Sequence, residues 1–279
     1  MKKNGLLLSM LVLSPLSLAN TTDINVVNDA ENLSHNGDQS IVTILKKDSS
    51  NLSHIKYDKF NVGSEGMIFN NHLGADTIIN EVISQSASEL NGEVRIEGKK
   101  AKFTLVNPNG ITCESGCSFS NTTSANLVVG RKMLTPYRII GGFARDRKLI
   151  IKNTTKKIAE NLILDSPNIE IRKSHITADK VTIYNTYNYL NNTLSRANIT
   201  IDDQSKIEAN EIKINILGTD FINNGIVSGK IKASLSFSNI VNNGYITGTS
   251  GSEIQNINTQ FSGKGNFLHI KNRIPYIYD

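Results

Sequence analysis

FINNGIVSG, at residues 221–229, returns as IVNNGYITG at residues 240–248, with its Asn-Asn-Gly triplet displaced by 19 residues. In both copies apolar residues alternate with polar ones around a tight turn. Upstream, NLILD, VTIYN, NITID and IKINI begin at residues 161, 181, 198 and 212, a spacing that drifts between roughly 14 and 20 residues. Such a period suits one coil of a solenoid. No segment this short can bury its apolar face alone. Stacking one coil on the next creates a shared interior and lets asparagines at equivalent turns form ladders. An antiparallel sandwich also presents many short strands, and Asn-Gly is a hairpin signal. The close repeat of the whole triplet favours the solenoid.

The first half of the chain fits the same architecture. Between residues 41 and 106 the runs IVTIL, MIF, TIINEVI, EVRIEG and AKFTLV are separated by the turn-formers NVGSEG, NNHLG and LNG. Abundant Ile suits a pleated surface, and abundant Asn suits turns that need a left-handed residue. The best helical candidate is NTTKKIAENLIL at residues 153–164. The expected fold is therefore all-β: one right-handed parallel β-helix with an N-terminal β cap of irregular strands. No Pro-, Gly- or Ser-rich linker divides it.

Residues 1–19 read as a secretory signal. Lys2 and Lys3 precede an apolar run, and Ser17-Leu18-Ala19 offers small residues at a cleavage site. The run is short for a membrane span, and no other segment is apolar enough to cross as a helix. The mature domain is expected to be 20–279, and the formal charge of +5 becomes 5 − 2 = +3 without the two leader lysines. A basic stretch from Arg131 to Lys173 includes Arg145, Arg147, Lys148, Lys156 and Lys157. It lacks interleaved aromatics and reads as a solvated face, which together with export argues against a nucleic-acid partner.

One further stretch is VNPNGITCESGC, residues 106–117, a tight turn directly ahead of the only two cysteines. Asn107 supplies a side-chain acceptor at the first turn position, Pro108 pre-sets φ, Asn109 tolerates the third position and Gly110 releases the chain. Read as an exposed turn, Asn107 should cost only ~1 kcal/mol of stability when replaced.

With these strands placed, residues 60–130 resemble the N-terminal secretion domain of two-partner secretion exoproteins, the family of filamentous haemagglutinin, its haemolysins and contact-dependent inhibition proteins. FNVGSEGMIFNN (residues 60–71) and residues 78–122 carry the likeness. Within them Asn80-Glu81-Val82, Leu90-Asn91-Gly92 and Asn107-Pro108-Asn109-Gly110-Ile111-Thr112-Cys113 follow in order. Some members also carry an Asn-Pro-Asn-Leu motif, for which the nearest match here is Asn70-Asn71-His72-Leu73. The resemblance implies a β-helix whose unfolded N-terminal segment is recognised in the periplasm by the soluble domains of an outer-membrane β-barrel. It also implies passage to the medium or cell surface, and the last partner in view is a host or neighbouring cell surface.

Cys113 and Cys117 enclose Glu114, Ser115 and Gly116. In an exported chain this pair suggests a structural disulfide, against the alternatives of free thiols or a reactive pair. Closing so small a loop adds ~2 kcal/mol. No metal site or cofactor is expected, because His35, His54, His72, His175 and His269 are scattered. An enzyme of the polysaccharide-cleaving β-helix type would need gathered carboxylates. The only adjacent pair, Asp202-Asp203, would point to opposite faces of a strand. A stand-alone adhesin is the remaining alternative. Members of the family usually continue beyond this domain, so the effector part is expected to lie outside these residues.

Overall fold

A computed structural model describes residues 21–28, 32–132, 139–141, 146–185 and 196–273. The leader-like residues 1–19 and Arg145 lie outside the described residues. The described chain is built from strands, with no α-helix among them. They form a thirteen-stranded, an eight-stranded and a five-stranded sheet, with a two-stranded hairpin beside them. Between Leu52 and Asn242 most consecutive strands lie on different sheets, and most pair in parallel with a counterpart one coil away. Glu93–Gly98, Ala101–Val106 and Ile111–Glu114, for example, pair with Met67–Asn71, Thr77–Val82 and Ser88–Leu90. This is a parallel β-helix.

The cap is antiparallel, and its first strand carries a register shift between Asn25 and Val26. Asp23–Val26 runs antiparallel to Leu52–Asn61, and Leu33–Asn36 forms a hairpin with Gln39–Thr43. Gly37, at φ +60°, makes the hairpin turn possible. Antiparallel strands therefore occupy the N-terminal end of the stack and satisfy the edge that a first coil would otherwise expose.

Coil length differs from the spacing of the apolar runs. Paired positions of adjacent coils are 25 residues apart near the N-terminus, as in Ile78 and Phe103, and 19 near the C-terminus, as in Asn223 and Asn242. NITID lies in Ala197–Ile201 of the eight-stranded sheet, whereas NLILD, VTIYN and IKINI belong to the thirteen-stranded one. The shorter intervals were steps between faces of one coil, not between coils. The helical expectation for residues 153–164 is also overturned. Leu162 and Leu164 are buried and alternate with the half-buried Asn161, Ile163 and Asp165, the two-residue period of strand Asn161–Asp165, which pairs with both adjacent coils. Tertiary pairing outweighs a weak local preference.

One core runs along the axis. Its wide N-terminal end is filled by Tyr57, Phe60, Phe69, Phe103 and Phe119, with successive ring centroids 5.0–6.4 Å apart. Burial raises the Tyr57 hydroxyl pKa well above its usual value, so it stays protonated and donates to Asn80 Oδ1 at 2.9 Å. Later coils are mainly aliphatic, with positions such as Ile212, Ile231 and Ile254 stacked beside the buried ring of Phe221. There the repeated triplets do the registering. Asn223 donates to Asn242 Oδ1 at 2.8 Å, and Asn243 donates to Asn224 Oδ1 at 2.9 Å. A Cβ on Gly244 would stand 2.0 Å from the Gly225 carbonyl, so the third triplet position admits only glycine.

The aromatic stack makes an unequal prediction for two phenylalanines. Phe103→Ala, at a fully buried position, should lower unfolding free energy by about 3–5 kcal/mol. Phe261→Ala, at 38% exposure, should cost a small fraction of that. Urea midpoints of the two purified variants check this, and equal losses would contradict the placement of the core.

Candidate functional site

The residues singled out by sequence occupy two successive coils, position above position. Asn80-Glu81-Val82 ends strand Thr77–Val82, and Glu81 pairs with Val106, the last residue of Ala101–Val106. The chain then turns twice, once per coil: through Ser84–Ser86 below and through Asn107–Gly110 above. Ser88–Leu90 and Ile111–Glu114 follow in register, with Leu90 opposite Cys113. Asn91-Gly92 and Gly116 form the next corner, again stacked.

Asn107 joins the two levels. Its side chain is fully buried, so the exposed turn expected from sequence is corrected. Its amide donates to the Ser86 carbonyl at 3.0 Å and to Ser88 Oγ at 2.9 Å, both in the coil below. Its Oδ1 accepts from the backbone of Asn109 at 2.8 Å, the side-chain turn that the Asn-x-Asn pattern suggests. Asn109 in turn donates to the Ser84 carbonyl at 2.7 Å. Pro108 is half-buried on the corner. Gly110 has φ +112° and donates back to the Asn107 carbonyl at 3.5 Å. Ile111 is buried, Thr112 half-buried, and both lie between Ser88–Leu90 and Leu149–Lys152.

The second corner is set by close approach. A Cβ on Gly92 would meet the Gly63 carbonyl at 2.0 Å, and one on Gly116 would meet the Asn91 carbonyl at 2.4 Å. Three backbone layers thus touch where only glycine fits. Cys113 and Cys117 are bonded, fully buried, and close this corner, with Ser115 at φ +49° between them. Glu114 points outward. Despite partial burial, its hydrogen bonds and charge contact with Lys152 and its bond from Asn153 hold its pKa below the usual value.

Asn80 is inside the coil, receiving Tyr57 and donating to the Thr104 carbonyl at 3.3 Å. Glu81 faces out and meets His54 at 2.7 Å. Val82 and Leu90 are buried core residues. Sequence reasoning passed over Asn71, quoted only at the end of a motif. It is fully buried, donates to the Ala75 and Lys99 carbonyls and accepts from the Ala75 amide. It organises its corner as Asn107 does, and the signal was available: an Asn closing a strand and followed within three residues by Gly.

The other candidates are dispersed. His35, His54 and His175 contact Ser40, Glu81 and Glu208 respectively, on separate strands. Among the described residues no group of three His, Cys, Asp or Glu side chains could hold a metal. Asp202 and Asp203 sit in a turn, not a strand, where Asp202 accepts from the Lys173 backbone and from Ser205. In the basic stretch Lys148, Lys152 and Lys157 pair with Glu170, Glu114 and Asp179 at 2.6, 2.8 and 3.3 Å, a solvated face with partners.

The arrangement is built to lock one coil upon another and gathers no reacting groups, which defines a β-helical module for folding and recognition. A family model described as the TPS secretion domain matches residues 19–256, and the chain belongs to this family of two-partner secretion domains. It is similar to a hemolysin of Proteus mirabilis, 31% identical over 53% of this chain and 11% of that protein. It is also similar to the tRNA nuclease CdiA of Yersinia mollaretii, 40% identical over 34% of this chain and 4% of that protein. The chain spans roughly a tenth or less of these curated relatives. Its fold is that of the filamentous hemagglutinin secretion domain in a crystal structure, with a TM-score of 0.67 over 89% of this chain and 96% of the other at 16% identity. The family is one of secretion domains, not of enzymes. Its exoproteins leave Gram-negative cells through the periplasm for the medium or the cell surface, and the domain implies a partner transporter in the outer membrane.

Burial of both sulfurs sharpens what their removal should do. Cys113→Ala with Cys117→Ala should leave the domain folded and cost ~2 kcal/mol for the lost loop constraint. The double serine variant should lose more, because two hydroxyls enter an apolar layer. Denaturant midpoints of the two variants distinguish the terms, and a double alanine variant that fails to fold would show the corner to be more than a local clamp.

Proposed function

We propose that residues 20–279 direct the export of an exoprotein through a dedicated outer-membrane β-barrel, and that the Asn107–Cys117 corner makes the first coils able to form during transit. The observation that carries this reading is the double role of Asn107. One side chain shapes its own turn through Oδ1 and fastens that turn to the preceding coil through Nδ2. A chain arriving N-terminus first has few coils to support it, so a residue that couples two of them matters most at that stage. Each later coil buries apolar surface on the last one formed and opposes backsliding.

Recognition by the barrel's periplasmic domains falls, in this reading, on the unfolded segment containing Asn80-Glu81-Val82, Leu90-Asn91-Gly92 and Asn107 to Thr112. In the folded domain Asn80, Val82, Leu90 and Asn107 are buried. A partner that reads them must therefore act before the coils close, and release would follow from folding itself.

The test separates transit from stability. Asn107→Ala leaves buried partners on two coils unsatisfied and should cost about 2–4 kcal/mol. Ile231→Ala, in a late coil, should cost a similar amount through its cavity. Each variant is co-expressed with the cognate barrel, secreted and periplasmic protein are quantified, and the purified domains are matched by denaturant midpoint. Asn107→Ala should be retained in the periplasm while Ile231→Ala is secreted. Equal secretion at matched stability would remove the special role of the corner.

A further inference from the structure

Beyond export, the later coils carry a charged surface that the secretion role does not use. On the thirteen-stranded sheet, Thr182, Lys213, Lys232, Glu253 and Lys271 stand in one cross-coil row, and Lys180, Glu211 and Lys230 in the next. The intervening residues Val181, Ile212, Ile214, Ile231, Ala233 and Ile254 point into the core, so the lysines and glutamates of both rows face solvent, whereas Thr182 at the head of the first row is buried. In a third row Asn215, Ser234 and Gln255, rich in hydrogen-bonding groups, lie between Tyr184 at one end and Arg273 at the other. Five lysines thus share the panel with two glutamates. The strands bring these charges to the spacing of a parallel sheet, ~4.8 Å per coil.

Glu211 shows the imbalance directly. Its carboxylate is 2.7 Å from Lys180 Nζ and 3.6 Å from Lys213 Nζ. The hydrogen bond from Lys180 and the charges of Lys180, Lys213 and Lys232 hold its pKa below the usual value. One carboxylate serves three ammonium groups. The eight-stranded face has no equivalent run of lysines: its rows read Glu114, Lys152, Arg172, then Glu170, Thr200, Ile222, Val241, then Asn198, Asp220, Asn239.

We propose that this panel binds an extended anionic polysaccharide lying along the axis of the helix, across successive coils. Cations that recur at each coil match a ligand whose charges recur along its length. The neighbouring Asn215, Ser234 and Gln255 offer amides and a hydroxyl suited to sugar hydroxyls. The rows contain no aromatic interleaved between cations for base stacking, which disfavours single-stranded nucleic acid. The two charged rows contain no apolar side chain to enter a bilayer, which disfavours a lipid surface.

The experiment applies the full chain to immobilised dextran sulfate and to neutral dextran, eluting with a salt gradient. Retention on the sulfated matrix alone is expected, because screening weakens such contacts. Lys213→Gln with Lys232→Gln should elute at distinctly lower salt, and Glu211→Gln at higher salt. Lys148→Gln with Lys152→Gln, an equal charge change on the eight-stranded face, should elute with the unsubstituted chain. Circular dichroism confirms that each variant is folded, and Glu211→Gln carries the test if the double lysine variant is not. Absence of retention, equal shifts for both double variants, or stronger lysine-dependent binding to duplex DNA or phosphatidylglycerol vesicles would each overturn the proposal.

Discussion

The ladder hydrogen bonds of a parallel β-helix are made between one coil and the next. A coil taken alone satisfies none of its strand N–H and C=O groups and buries little of its apolar face, so its stability comes from the coil on either side. Register between neighbours is the constraint from which the rest follows. In the early coils it is set by aromatic stacking and by the buried asparagines of the corners. In the late ones it is set by Asn223 upon Asn242, and by glycines where backbone meets backbone. A slip of one residue would turn the whole alternating pattern inside out.

The two ends of the stack are not alike. Antiparallel strands close the N-terminal end, and the coils next to it have three sheets, the ring stack of Tyr57, Phe60, Phe69, Phe103 and Phe119, and the Cys113–Cys117 bond. Toward the other end the five-stranded sheet has stopped, the core is mainly aliphatic beside Phe221, and Phe261 and Phe267 remain about two-fifths exposed. Strand pairing reaches only one coil away, so order can spread by short steps once a first pair of coils exists. The molecule therefore has a structurally favoured starting end, and it is the end that contains the shared family motifs.

Much of this was legible in the residues, for reasons that differ along the chain. TIINEVI, EVRIEG and AKFTLV show the two-residue period of their strands, and the Asn-Asn-Gly repeat announced its ladders. Leu52–Asn61 was missed because His54, Lys56, Asp58 and Lys59 interrupt its apolar pattern, although Ile55, Tyr57 and Phe60 point inward. Three-residue strands such as Ser88–Leu90 and Ser118–Ser120 carry too few residues to show a period at all. The number of faces per coil was hidden for the same reason, and so strand-to-strand intervals were read as coil lengths. At the site, the turn chemistry of Asn107 could be inferred locally. Its burial could not, because the atoms that bury it, Ser86 and Ser88, belong to a coil 19 to 21 residues earlier. Local sequence reports the turn, and only stacking reports what the turn rests on.

The central claim is that the coils carrying Asn80 to Cys117 form first and template the others. Pulse-labelling hydrogen exchange during refolding of the intact chain, read by mass spectrometry, tests it most directly. Amides of Thr77–Val82 and Ala101–Val106 should become protected before those of Lys206–Leu217 and Ile226–Ser236, with protection advancing coil by coil. Earlier protection of the late coils, or simultaneous protection of all of them, would contradict it.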